Sequence, residues 1–126
     1  MRMIKNTKLH DCGVCAVANL LDISWRAAAH RIWGNAHYNR LRFNTRTKQV
    51  ATAIDITKPK LIRVKSWHDI PPERAIVKVI PPECEGGYDW HWVVWRDGKV
   101  WDSCLTRASK PEHYECRLVS YLGSKT

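Results

Sequence analysis

A chain of 126 residues with 44 % apolar content is long enough for one compact domain, short for two, and too apolar for a disordered tail. No stretch approaches the roughly 20 apolar residues that cross a bilayer, and "MRMIKNTKLHDCG" has no apolar run of the secretory kind, so a soluble, cytoplasmic chain is expected. Five cysteines, an odd number, argue against a complete disulfide framework, and the formal net charge of +9 favours acidic partners or substrates.

The predicted elements run as follows. Residues 12 to 22 place Val14, Val17, Leu20 and Leu21 at helical spacing. "SWRAAAHRIWGN" predicts a second helix, with Ser24 as N-cap and Gly34 closing its end. "HYNRLRFNTRTK", residues 37 to 48, then sets Arg40, Arg42, Arg46 and Lys48 around Tyr38 and Phe43. Basic residues with interleaved aromatics can track a nucleic-acid strand. A solvated basic loop with packed aromatics is the plainer reading and is preferred here. A third helix is predicted after Asn44 or Thr45, through Val50 and Ile54.

The pattern then changes to strands. "KLIRVKSW" and "AIVKVIP" are two of them, separated by "HDIPPER", whose prolines break any helix. In "DWHWVVWRDGKVWDS" two β-rich runs flank Asp97-Gly98, a favoured pair for a tight hairpin turn. "HYECRLVSYLG" predicts a last strand. Helices first and an antiparallel sheet second give an α+β fold, with N-terminal helices packed on a C-terminal antiparallel β-sheet in a single domain over residues 1–126.

The hairpin carries a geometric consequence. With Asp97 and Gly98 as the turn, Arg96 pairs with Lys99, Val93 sits opposite Asp102, and His91 opposite Cys104. His91, Val93, Trp95, Val100, Asp102 and Cys104 then share one face. His91 and Asp102 become diagonal neighbours, roughly 7–8 Å apart at the backbone, a gap their side chains can close. An aspartate that holds a histidine in one tautomer is the orienting half of a nucleophilic triad; a half-exposed histidine beside an unrelated aspartate is the plain alternative.

Cys12 adds a nucleophile. A cysteine at a helix start feels the positive end of the dipole, which favours its thiolate, and a neighbouring imidazolium strengthens the effect. Gly13 would let a substrate approach the helix start. A nucleophile at a helix start, a base on a strand and an orienter on its partner, here in the chain order cysteine, histidine, aspartate, are what thiol acyl-transfer chemistry requires.

"DCGVCAVANLL" and "HWVVWRDGKVWDS" resemble the two motifs of papain-like cysteine peptidases, and most closely those of the peptidase domain of bacteriocin-exporting transporters. The resemblance covers about thirty residues. It implies a papain-like fold, Cys12 as nucleophile, His91 as general base and Asp102 as orienter. Where that family has its oxyanion-hole glutamine, this chain has Asn6, whose amide can also donate but is one methylene shorter. The backbone N–H of Cys12 would be the second donor. Asp102 is followed by Ser103, where the family commonly has proline.

Other readings of the cysteines stay open. Cys12 and Cys15 could form half of a zinc site completed by Cys84, Cys104, Cys116 or His113, although none of these makes a second close pair. A redox pair would expect a leading strand that is absent. Cys15, one turn below Cys12, reads as a small buried residue. His10, His30, His37 and His68 default to the surface. Trp90 with "PPECEGGYD" would form a cleft rim, made mobile by Gly86 and Gly87, and Trp92 would pack under the sheet.

The expected function is hydrolysis of a peptide or isopeptide bond by Cys12, His91 and Asp102, with Asn6 at the oxyanion hole, on a protein or peptide substrate, with no cofactor, metal or membrane. A related amidase or acyl transferase would use the same groups. The alternative is a papain-like binding or inhibitory module, of the kind a phage encodes, whose basic surface grips a host protein or, less favoured, a nucleic acid.

Overall fold

Small and apolar residues from Cys12 to Leu21 form helix α1, buried along almost its whole length, as expected of a helix that is apolar all round. The computed structural model describes residues 3–5, 10–71, 74–80, 90–105 and 107–124. Asn19, a polar residue in the buried helix, is satisfied by main chain: Oδ1 accepts from Ile4 N at 2.8 Å and Nδ2 donates to Ile4 O at 3.1 Å. Helix α2 (Trp25–Trp33) is capped by Ser24, whose Oγ accepts from Ala27 N at 3.1 Å, and ends at Gly34 with φ +60°. A 3₁₀ turn over Gly34–Asn39 and an extended run lead to α3 (Thr47–Ala53). All three predicted helices are present.

Five strands follow: β1 (Pro59–Arg63), β2 (Arg74–Ile80), β3 (His91–Arg96), β4 (Lys99–Trp101) and β5 (Arg117–Ser124). They form one antiparallel sheet in the order β1-β5-β2-β3-β4. Asp97 and Gly98 have φ of 55° and 70° and make the tight turn expected of them, with Arg96 paired to Lys99 and Trp95 to Val100.

Some expectations are corrected. Trp67 lies in a 3₁₀ turn, not a strand, and stacks on Trp95 at 5.3 Å. The last strand starts at Arg117, because Pro111–His113 form a 3₁₀ turn. The hairpin ladder stops at Trp101, and the chain then turns, with Leu105 N bonding to Asp102 O at 2.9 Å. The expected pairs Val93–Asp102 and His91–Cys104 are therefore not part of the ladder.

The sheet is packed on both faces. Ile76, Trp92, Val94, Trp101 and Leu122 meet the helices, so Trp92 packs under the sheet as expected. Ala75, Val77, Val79, Val93, Trp95 and Val100 form a second cluster, covered by Trp67, Ile70 and Tyr114. None of the described helices is long and apolar enough to cross a membrane.

Two arginines, paired across β2 and β3, seat α1 on the sheet. Arg74 Nη1 donates to Leu20 O at 2.9 Å and Arg96 Nη1 to Asn19 O at 3.0 Å. Cations at the last carbonyls also suit the negative end of the helix dipole. With its C-terminus held at the Arg96 end of β3, a ten-residue helix extends about 15 Å. Six residues of strand span about 20 Å. A helix of that length laid along β3 carries its start towards the His91 end.

Candidate functional site

His91 opens β3 and is almost fully buried. Its Nε2 lies 2.7 Å from Asp102 Oδ1. The same oxygen accepts the backbone N–H of Cys104 at 2.9 Å, and Oδ2 accepts the Tyr114 hydroxyl at 2.5 Å. The turn after Trp101 allows this, by bending the chain so that the amide two residues on faces its own aspartate, as short acidic side chains favour. Both carboxylate oxygens are thus fixed, and with Nε2 on the carboxylate the imidazole presents Nδ1 elsewhere.

Nδ1 is buried with no hydrogen-bond partner of ordinary geometry. The Cys104 thiol lies within 4.8 Å of a His91 ring nitrogen. Burial by itself would push the His91 pKa down; the hydrogen bond to Asp102, then the polar influence of the Cys104 and Cys12 thiols, and the Asp102 charge together push it well above the ordinary histidine value. Burial likewise works against an ionised Asp102, but His91, Tyr114 and the Cys104 amide outweigh it and lower its pKa. The pair therefore favours imidazolium and carboxylate. Tyr114 is held neutral by its burial and by the Asp102 charge.

Cys12 is half-buried at the first position of α1, with Asp11 before it. The first intrahelical bond runs from Cys15 N to Asp11 O at 2.9 Å, leaving the amides of Cys12, Gly13 and Val14 outside the helix ladder. Asp11 caps the helix with its backbone alone; its Oδ2 accepts the Trp25 indole N–H at 2.9 Å. Cys15 is fully buried, and its thiol is held protonated by burial and by neighbouring Asp11, against a weaker opposing hydrogen bond from Ser103. It has the structural setting expected of a small core residue.

Of the four expected site residues, His91 and Asp102 come together directly, and Cys12, at the start of α1, adds to the raised His91 pKa. The fourth, Asn6, lies outside the described residues, as do Cys84 and the "PPECEGGYD" rim up to Asp89. Trp90 itself packs edge-on against Trp92 at 5.1 Å. Gly13 does not open a path for substrate: a Cβ there would fall 2.0 Å from Thr45 Oγ1, so the glycine serves close packing of the segment before α3. Tyr114 is a neighbour the sequence did not reveal; Cys104, expected opposite His91, stays close to it although the two are not paired in the ladder. Tyr114 is twelve residues from Asp102 and returns only because Val100 and Ser109 form an isolated bridge.

Among the described residues, ligand atoms of His91, Asp102 and Cys104 lie within 4.8 Å of one another, a spacing that could hold a metal ion. Cys12 and Cys15 are not in that group. The short His91–Asp102 bond would have to open for both to ligate.

In the basic segment, Phe43 is buried against Trp25 and Trp33, at 5.0 and 5.7 Å. Tyr38, expected to pack, is 64 % exposed. Arg40 lies over the Trp33 ring at 4.4 Å. His30 and His68 are exposed as expected, whereas His37 is only 4 % exposed. Comparison with protein-family models, with curated proteins and with solved structures gives no match to this chain.

Proposed function

We propose that this chain is a thiol-dependent hydrolase of papain-like type, cleaving a peptide or isopeptide bond with Cys12 as nucleophile, His91 as acid and base, and Asp102 as orienter. The observation that carries the proposal is the buried His91–Asp102 pair, 2.7 Å apart, with Cys12 at a helix start and adding to the raised His91 pKa. In the reaction, Cys12 Sγ attacks the carbonyl carbon while imidazolium donates a proton to the leaving amine. The C–N bond breaks and an acyl-thioester remains. His91, now neutral, takes a proton from water as the water oxygen attacks the acyl carbon; the C–S bond breaks and thiolate and imidazolium are restored. The amides at the start of α1 are suited to hold the carbonyl oxygen as it gains charge. Asp102 keeps the ring aligned throughout, with Tyr114 and the Cys104 amide keeping Asp102 in place.

The direct test is a peptide vinyl sulfone, which forms a thioether with an activated cysteine. Mass spectrometry should find one adduct, on Cys12 in the wild type and absent from Cys12→Ala. Adduct formation should slow by about a hundredfold or more in His91→Ala and Asp102→Asn, judged by the size of general acid–base and orienting effects. Folded Cys12→Ala, shown by an unchanged melting curve, keeps the comparison clean. An adduct on Cys104, or a rate indifferent to His91, would overturn the assignment.

The exposed Tyr38 and Leu41 among arginines favour a second reading, a module whose basic surface grips a partner. Strong heparin retention together with a wild type inert to the vinyl sulfone would place it first.

A further inference from the structure

Between residues 23 and 54 the chain has no acidic residue, but it has Arg26, Arg31, Arg40, Arg42, Arg46 and Lys48. Of these only Arg31 has a carboxylate partner among the described residues, Asp55 at 3.3 Å. Two adjoining cavities lie on this surface. One, of about 350 Å³, is lined by Ser24, Arg26, Ala27, His30, His37 and Tyr38. It sits against the first turn of α2, where amides and dipole favour an anion and where the chain supplies no acidic side chain of its own. The other, of about 370 Å³, shares Arg26, His37 and Tyr38 with the first and adds Trp25, Arg40, Leu41 and Phe43. Its added walls are mainly apolar. His37 lines both, and its buried Nε2 has no hydrogen-bond partner.

We infer that these cavities form a two-part subsite for a polypeptide bearing an acidic side chain next to an apolar one. The carboxylate goes to Arg26, His30 and the start of α2, and the apolar side chain lies against Trp25, Leu41 and Phe43 beneath Arg40. Guanidinium groups match a carboxylate in two-point geometry, and each cavity has room for a side chain. The subsite adjoins the start of α1. Trp25, one of its walls, is bonded to Asp11, the residue before Cys12, and Phe43, another, stands two residues before Thr45, which covers Gly13. A chain bound here is brought beside Cys12, so the inference rests on the hydrolase reading and names its substrate class.

The test uses full-length protein carrying Cys12→Ala, so that nothing is turned over, and fluorescein-labelled Gly/Ser peptides read by fluorescence anisotropy. One peptide has a central Glu-Leu-Glu-Leu, one has Lys in place of Glu, one has Ser in place of Leu, and a 20-nucleotide oligo-dT is the control. The Glu-Leu peptide should bind, and the Lys and Ser peptides at least about tenfold more weakly. Arg26→Gln and Arg40→Gln, both at exposed positions, should each weaken it by about tenfold, the size of a lost charge-assisted contact. Equal binding of the Lys peptide, or unchanged affinity in both arginine variants, would overturn the subsite. Tighter binding of oligo-dT through the same arginines would also overturn it and assign the cleft to single strands. Vinyl sulfone labelling of wild-type Cys12, measured separately, keeps failure of the subsite distinct from failure of the nucleophile.

Discussion

Asp102 accepts from His91, Tyr114 and the Cys104 amide while carrying a negative charge in a nearly dry setting. Removing one donor leaves part of that charge unsatisfied. Tyr114→Phe should therefore cost about 1–3 kcal/mol in urea unfolding, and slow Cys12 modification by loosening the grip on His91. Unchanged stability and reactivity would mean that the hydroxyl is dispensable. The pair also fixes a pH dependence. His91 has a raised pKa, so its contribution to stability is complete below the ordinary value of 6.5 and is lost as pH rises through the folded value. Asp102 has a lowered pKa, so its contribution is complete above 3.8 and is lost as pH falls through the folded value. The stability gap between wild type and the double variant His91→Ala/Asp102→Ala should be widest between those two pH values and should narrow above 6.5. Urea melts from pH 4 to 9 would show it, and a gap that widens with rising pH would contradict the imidazolium assignment. The His91–Asp102 contact was legible because the two-residue turn at Asp97-Gly98 brings the start of β3 beside the end of β4, although the ladder itself stops at Trp101. Tyr114 was not, because its contact depends on how the chain returns after the turn at 102–105.

At the scale of elements, α1 holds the site by both ends. Arg74 and Arg96 fasten its C-terminus to the sheet, and Trp25 and Thr45 pack its N-terminus from the side. Gly13→Ala should destabilise by about 1–3 kcal/mol through overpacking against Thr45, and Thr45→Gly in the same chain should recover most of the loss. Thermal melts of the four proteins in this cycle measure the coupling; additive effects would mean that Thr45 is not what excludes a side chain there. The helices were readable from apolar spacing, from Ser24 and from Gly34, since these are local signals. The placement of β5 between β1 and β2 was not, because strand order depends on contacts between residues far apart in sequence. The close approach at Gly13 was misread for a related reason: a glycine signals that something comes near, but not whether it is substrate or the chain's own Thr45.

For the whole molecule, the charge of +9 is spread unevenly, with no acidic residue between 23 and 54. Replacing Arg40, Arg42, Arg46 and Lys48 by Ala should slow association with acidic polypeptides and flatten its salt dependence, leaving Cys12 chemistry as it was. Stopped-flow association at about 0.05 and 0.3 M salt would read this, and identical slopes in the two proteins would show a merely solvated face. Activation of Cys12 by His91 would set the rate of iodoacetamide alkylation at about pH 6, resolved by cysteine. Ordinary thiols are almost entirely protonated there and react slowly. Cys104 is an internal control, since it is more exposed than Cys12 and touches the same ring. Cys12 should be alkylated well ahead of the other four cysteines in the wild type and should lose that lead in His91→Ala. Alkylation of Cys104 before Cys12, or the same order of reaction with and without His91, would contradict that activation.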